Sequence, residues 1–519
     1  MAILPLLSGV RIALSDSPQI AERVARSVVY VSISRVLLQI LSTLSGLLLA
    51  RWLSPEDYGV MALAAVAAGL IYLLAELGVG SAIIQFPELQ ATELNAGFWA
   101  TLLLGGLLYA VMYLIAPHLA EYFSSPRMSA LLRVIGLGAV LSVLRIVPDS
   151  LLRKRLHLDK FAIIEIVSAV MNISLMLGLA WVGAGLWALA AGAVFGPFIQ
   201  CLLSFYFARW WPGLRIRSER FSRLLRYSRA ALGSRLAWAV YSESDRIVLG
   251  RLAGDVTLGF YVMASQVALL PVEKIGTMIN QISAPVLAEY QADQQAMCRC
   301  FLREVRIVAW TLVPICLGMI VFADAAVPLL LTAKWTPIIP VLQLLSLFAA
   351  MRSLILLFPP VLMAGYRADF LFRYNLLLVI VMLAAFGIGA WWKGSVGVAL
   401  AWCLIYPLVA AWMANRGLLV LGMTWGALGR ELWAPGASTI VMLAIAVVAH
   451  QSLSGQGTAG LILAILIGAV VYGGAVLLFG GIVRNDVRLL FSILGVRAEA
   501  GPKPLPRRGH SESNRGSRP

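Results

Sequence analysis

One apolar stretch of this sequence carries more ionisable side chains than hydrocarbon tolerates. In YSRAALGSRLAWAVYSESDRIVLGRL, the residues Ser242, Glu243, Ser244, Asp245 and Arg246 follow one another in the middle of a run long enough to cross a bilayer. An ionised side chain at the bilayer centre costs roughly 2.5–3.5 kcal/mol on insertion scales, so such residues face a cavity or a partner. At about 100° per residue the five cannot share one helix face, so some line water and the others pair with neighbouring helices. Glu243 and Asp245, with Glu273 in the next stretch, are the candidates for carrying a coupling ion, and Arg246 is a candidate anion ligand. Arg35 and Arg235 each lie about a third of the way into an apolar stretch, 200 positions apart. Two guanidiniums facing each other across a cleft would bind phosphate oxygens bidentately and stay charged, so the pair predicts a site suited to a pyrophosphate-linked lipid. The alternative is that each is neutralised nearby by a carboxylate such as Glu76, Glu165 or Glu243. Arg133, Arg145 and Arg352 are further candidates for the cavity lining, the first two close enough to helix ends to snorkel. Glu273 and Lys274 follow Pro271, whose missing amide permits a bend there; Pro314 and the Pro359-Pro360 pair offer the same option.

Enzyme chemistry finds no foothold in the sequence. There is no DxD metal pair and no Gly-rich phosphate loop, and Cys201, Cys298, Cys300, Cys316 and Cys403 form no paired CxxC set with histidines at zinc spacing. The reading is therefore no catalytic residue, no metal and no cofactor, with Cys298 and Cys300 as reduced loop thiols.

The elements that must position these residues are membrane helices. The chain has 519 residues, 61% of them hydrophobic and 13% charged, and a mean hydropathy of +0.88, well outside the usual range of soluble domains. About fourteen apolar stretches, each close to the length that spans hydrocarbon as helix, run from Ser27 to Ile482. Among them are single spans at 58–84, 128–150, 228–250, 257–288 and 337–362. One set of connections holds Arg153, Lys154, Arg155, Lys160, Arg209 through Arg226, Arg299, Arg303, Arg367, Arg416 and Arg430. The other set carries little more than Arg51, Arg127, Arg251, Lys334 and Lys393. Because basic loops are retained in the cytoplasm, the first set and both termini are predicted inside. The net charge of +16 then reflects anionic membrane lipids, with no nucleic acid as partner.

The chain also repeats itself. At a shift of 200 residues Ser34-Arg35 faces Ser234-Arg235, and Ser42, Leu49, Arg51, Gly59 and Ala64 meet Ser242, Leu249, Arg251, Gly259 and Ala264. LARWLSPEDYGVMALA thus reappears as LGRLAGDVTLGFYVMA. Six helices separate the copies, so both run the same way and the repeat axis lies along the membrane normal. The predicted fold is all-α and polytopic: two parallel six-helix lobes around a central cavity, plus two C-terminal helices. The corresponding boundaries are a cytoplasmic lead-in at 1–26, lobes at 27–210 and 228–414, and a basic amphipathic linker at 211–227. A linker with two extra helices occupies 415–482, and a basic disordered cytoplasmic tail 483–519. Parallel repeats of this kind place a substrate site between lobes and give alternating access by rocking one lobe against the other.

LARWLSPEDYGVMALA with the following ELGVGSAIIQ, and later DRIVLGRLAGDVTLGFY, resembles the Wzx-type polysaccharide exporters of the MOP flippase superfamily. The likeness runs from about Ser27 to the twelfth helix and is nearest to the lipopolysaccharide and colanic-acid exporter group of Gram-negative bacteria. The resemblance implies a multi-pass inner-membrane flippase with a cationic cavity and an undecaprenyl-pyrophosphate-linked oligosaccharide as substrate. The unit carried would belong to an O-antigen, capsule or exopolysaccharide. A polysaccharide polymerase and glycosyltransferases are the expected neighbours, and the chain is expected to act as a monomer. Two other readings stay open. A cation antiporter of the drug-exporter type shares the two-lobe plan but would favour cavity carboxylates over arginine. A membrane polymerase or ligase needs a sizeable outer loop, and no outer loop here exceeds about fifteen residues.

Overall fold

Helix starts in this chain are written in polar residues at the ends of its apolar runs. The computed structural model describes residues 37–479 except 87–88, 215–220, 277–278, 280–282, 284–285 and 454–456, and over 221–238 and at 240 it describes the backbone alone. Arg35 therefore lies outside the described residues, and Arg235 outside the described side chains. The first helix, α1, ends at Trp52, and α2 (Pro55–Glu76) begins immediately with Ser54 as its cap. The Asp57 amide donates to Ser54 Oγ at 3.2 Å, and the Ser54 amide donates to Asp57 Oδ2 at 2.9 Å. This reciprocal capping box, with Pro55 in the first turn, satisfies amides that would otherwise be stranded at a membrane boundary. Glu93 caps α4 (Ala91–Tyr122) in the same way.

After α3 (Val79–Gln85) and α4 come α5 (Pro126–Leu144), α6 (Ile146–Lys154), α7 (Leu158–Trp181) and α8 (Leu186–Ala208). The helical run Phe221–Pro271 turns non-helical at Gly254, so it is two helices, α9 before that glycine and α10 after it. Beyond are α11 (Gln294–Leu331), α12 (Ile339–Ile355) and α13 (Phe358–Ala364). Ala368–Leu421 breaks at Lys393 and Gly394 into α14 and α15, followed by α16 (Trp425–Leu453) and α17 (Gly457–Phe479). Eleven segments of the described residues are long and apolar enough to cross a membrane. Two of the eleven contain the breaks just named, and with the shorter apolar helix α1 the described residues make fourteen passes. The fold is an all-α polytopic membrane protein.

Three spans expected to be single helices are broken, and the sequence explains each. Leu77 and Gly78 adopt left-handed backbone (φ 50° and 70°), separating α2 from α3. Pro148 cannot donate to the carbonyl four residues back, which is that of Leu144, where α5 ends. Pro359 and Pro360 likewise forfeit bonds to Ile355 and Leu356, and α12 ends at Ile355. Pro271 is followed by a π-helical turn at Val272–Gly276, a wider winding that turns up where a helix is locally loosened. Pro314 leaves α11 unbroken.

The repeat is visible as packing. A Cβ on Gly59 would sit 1.9 Å from the Asp255 carbonyl oxygen, and one on Gly259 would sit 1.7 Å from that of Pro55. Positions 55 and 59 of α2 thus meet 255 and 259 of α10 reciprocally, as two copies related by a two-fold axis must. Only glycine permits backbones this close. The connections on this side share one end of the bundle and hold one another. Arg51 donates from Nε to the Leu330 carbonyl and from Nη2 to that of Leu329, both at 3.2 Å. Lys334 donates to the carbonyls of Arg51 and Leu53 at 2.9 and 2.7 Å. Trp335 is fully buried, donates to the Ala50 carbonyl at 2.8 Å and packs edge-on against Tyr58 and Phe260. Arg51 reaches the end of α11, and its repeat partner Arg251 lies over Tyr122 at the end of α4, 4.9 Å from the ring centre. The two C-terminal helices dock on α11: Arg306 pairs with Glu431 at 3.2 Å, and the Tyr472 hydroxyl donates to the Trp310 carbonyl at 2.7 Å.

Candidate functional site

The polar segment of α9 splits as its helical periodicity requires. Asp245 points into the second six-helix lobe, is 7% exposed, and accepts at 2.6 Å from the Tyr261 hydroxyl of α10. That hydroxyl accepts at 2.9 Å from Trp402 Nε1 of α15, and the Arg246 amide donates to the other Asp245 oxygen at 2.8 Å. A buried carboxylate is tolerable only with such partners. Glu243 and Arg246, three residues apart and so on one face, form an ion pair at 2.6 Å. Ser244 returns its hydroxyl to the Tyr241 carbonyl at 2.7 Å.

A cavity of about 910 Å³ opens among α9, α10, α12, α13, α14 and α15. Its wall includes Glu243, Asp245, Arg246, Glu273 and Arg352, so five sequence candidates meet in one space. Arg352, on α12, makes no ion pair with any described carboxylate and lies 5.8 Å from the centre of the Phe348 ring. The cavity runs from Asp245 toward Pro359, Met363 and Ala368, which is the end opposite Trp335. The sequence places the site between lobes, whereas this cavity is walled by the second lobe. A smaller one, of about 620 Å³, does bridge the lobes, between Tyr72 and Glu76 of α2 and Ser242, Glu243 and Arg246 of α9. The Glu243–Arg246 pair borders both spaces.

Arg133 and Arg145 are absent from the linings of these two cavities. Arg145 does not snorkel: it stands at the break between α5 and α6, where it meets Gln200 and Asp149 inside the first lobe. The reason is local, since Asp149 is buried there with Ser204 Oγ (2.6 Å) as its hydrogen-bond partner among the described residues and would otherwise be an uncompensated charge. Arg133 covers the Tyr113 ring at 4.6 Å.

The sequence reading missed the aromatic side of the cavity. Trp402 packs at a tilt against Phe348 and, behind the wall, Phe386, with ring centres 4.6 and 5.0 Å apart, and Tyr241, Tyr374 and Tyr406 complete the wall. Tyrosine and tryptophan inside apolar helices are the available signal, because each carries a polar tip that needs a partner when buried.

Residues 48–340, which hold α2 through α11, match the family described as "Polysaccharide biosynthesis protein". The chain belongs to this family. A polysaccharide biosynthesis protein is thus built here on fourteen membrane passes. Among its relatives is the lipopolysaccharide biosynthesis protein WzxC of Escherichia coli (strain K12), 26% identical over 421 residues, covering 79% of this chain and 84% of WzxC. The succinoglycan biosynthesis transport protein ExoT of Rhizobium meliloti (strain 1021) is 24% identical over 373 residues, 71% of this chain and 75% of ExoT. Among solved structures, the inward closed conformation of the lipid II flippase MurJ superposes with a TM-score of 0.69 at 17% identity, over 88% of this chain and 99% of that one. The family member shares that fold.

Proposed function

We propose that the chain is a flippase that moves an undecaprenyl-pyrophosphate-linked oligosaccharide across the bacterial inner membrane by alternating access. The observation that carries this reading is an arginine-bearing cavity lined by membrane helices, in a polysaccharide biosynthesis family with a relative named as a transport protein. Arg352, Arg246, Arg35 and Arg235 hold the pyrophosphate in this reading, because guanidinium groups match phosphate oxygens in pairs and stay charged at depth. Both termini lie in the cytoplasm. The end held by Arg51, Lys334 and Trp335 is then extracytoplasmic, and the cavity faces the side on which the lipid-linked substrate is assembled. One chain supplies the whole cavity, so the monomer suffices. Glycosyltransferases supply the substrate and a polymerase consumes it.

Asp245, Glu243 and Glu273 are the groups we assign to a coupling ion. No nucleotide motif is present in the sequence, so an ion gradient or the membrane potential, worth about 2.3 kcal/mol per charge per 100 mV, is the drive. A cation antiporter would leave cavity carboxylates without arginine partners, whereas Glu243 is paired with Arg246 and Arg352 makes no ion pair with any described carboxylate.

The test is translocation in proteoliposomes of undecaprenyl-pyrophosphate oligosaccharide by the wild type and by Arg352→Ala, Arg35→Ala and Arg235→Ala at matched folded abundance. Wild-type movement that falls at least roughly tenfold in Arg352→Ala is expected from the loss of one charge-assisted contact. Movement undiminished in all three variants would remove these arginines from the site. A wild type that is inert under an imposed gradient, while transporting an organic cation, would replace the flippase with the antiporter.

A further inference from the structure

The second-lobe cavity has an aromatic wall with an unanswered polar group. Tyr374, on α14, is 3% exposed, and its hydroxyl is buried without a hydrogen-bond partner among the described residues. Buried tyrosines ordinarily place the hydroxyl on a partner, and an exception calls for an explanation. Packing alone does not supply one, because phenylalanine would fill the same space without an unsatisfied oxygen.

Around this hydroxyl the wall is held in a fixed arrangement. Asp245 anchors Tyr261, which in turn anchors the Trp402 indole, so the largest ring of the wall is locked by two hydrogen bonds at 2.6 and 2.9 Å. Phe348 lies against Trp402 with centres 4.6 Å apart, and Tyr406 meets Phe348 edge-on at 5.2 Å. Tyr374, Tyr406 and Arg352 line the same cavity. Phenol hydroxyls both donate and accept, ring faces match C–H surfaces, and rigid supports preorganise the contact. A pyranose presents those two features together: an edge of hydroxyls and a face of C–H bonds.

We propose that Tyr374 and Tyr406, backed by Trp402, form a subsite for the first sugar of the lipid-linked substrate, next to a pyrophosphate held by Arg352. This rests on the flippase reading and adds a saccharide specificity that the arginines alone would not give. Tyr374 acts in it as the specificity-determining donor.

The experiment uses the full-length protein in lipid nanodiscs and the variant Tyr374→Phe. Two probes are compared: undecaprenyl pyrophosphate without sugar, and the lipid-linked oligosaccharide fraction extracted from the membranes of the source bacterium. In the wild type the sugar-bearing lipid binds more tightly. In Tyr374→Phe its affinity falls roughly tenfold, the yield of one hydrogen bond, while binding of undecaprenyl pyrophosphate is unchanged. The melting temperature of the free variant stays level or rises, because an unsatisfied oxygen has been removed; a merely structural tyrosine would lower it. Equal losses on both probes, no loss on either, or a lowered melting temperature would overturn the subsite and leave the flippase standing. Failure of the wild type to bind either probe would take down the flippase reading and the subsite with it.

Discussion

Gly259→Ala is the smallest perturbation that should part the lobes at their closed end. The added Cβ would lie 1.7 Å from the Pro55 carbonyl oxygen and 2.6 Å from the carbonyl carbon, where ordinary contact begins at 3.4 Å. The obstacle is backbone and cannot swing aside, so α2 and α10 must separate by about the 1.7 Å shortfall. Overpacking of this kind costs about 1–3 kcal/mol. That cost falls on the conformation in which the two backbones touch and spares one in which they have moved apart. The ratio of parted to closed molecules should therefore rise about 5- to 150-fold. Alanine favours helix over glycine, so the helix itself survives the change. Spin labels at the exposed repeat-related positions Trp52 and Leu252, in a cysteine-depleted full-length protein in lipid, report the separation of that end. We expect a longer-distance population to grow in Gly259→Ala. Gly106→Ala, where the added Cβ meets nothing within 4 Å, should leave the distribution as it is. A Gly259→Ala distribution identical to that of the parent, in a protein that elutes as folded, would refute the idea that this crossing holds the end shut.

Two further outcomes follow from the same packing. Tyr261→Phe removes the hydroxyl that donates to Asp245 and accepts from Trp402, stranding two buried groups at about 1–3 kcal/mol each; thermal unfolding in detergent should show a clear drop, and an unchanged midpoint would mean that Asp245 is satisfied without α10. Arg306→Leu breaks the half-buried pair that ties α11 to α16. Its cost should fall between the ~1 kcal/mol of an exposed pair and the ~3 kcal/mol at the low end for buried ones. Faster protease cleavage between α15 and α16 is the readout, and cleavage at the wild-type rate would assign their docking to apolar contact alone.

Much of the architecture was legible because the bilayer imposes simple rules on sequence. Each pass needs a long apolar run, so helix number followed from hydropathy alone. The three breaks went unread, because each apolar run reads as a single helix, yet prolines signal two of them. Pro148 and the Pro359-Pro360 pair mark them four residues downstream of the lost hydrogen bonds, although proline by itself did not decide the matter, since α11 continues through Pro314. The register of Gly59 with Gly259 and of Arg51 with Arg251 was visible in the sequence as a repeat. That the glycines form the crossing between lobes, and that each arginine reaches an element of the opposite half, was not.

By itself the sequence determined that Asp245, Glu243 and Arg246 had to leave hydrocarbon, because the desolvation cost of a charge holds whatever the fold. It could not say which would pair and which would face space. That depends on residues far along the chain: Tyr261 and Trp402 reach Asp245 from α10 and α15, whereas Glu243 finds Arg246 on its own helix. The same limit hid Tyr374, whose ring reads as ordinary apolar content until the packing of α14 leaves its hydroxyl without a partner among the described residues. Composition and periodicity fix how many groups must be satisfied; only the three-dimensional arrangement decides with what, since hydrogen bonds and ion pairs act over a few ångströms and sequence separation carries no information about them.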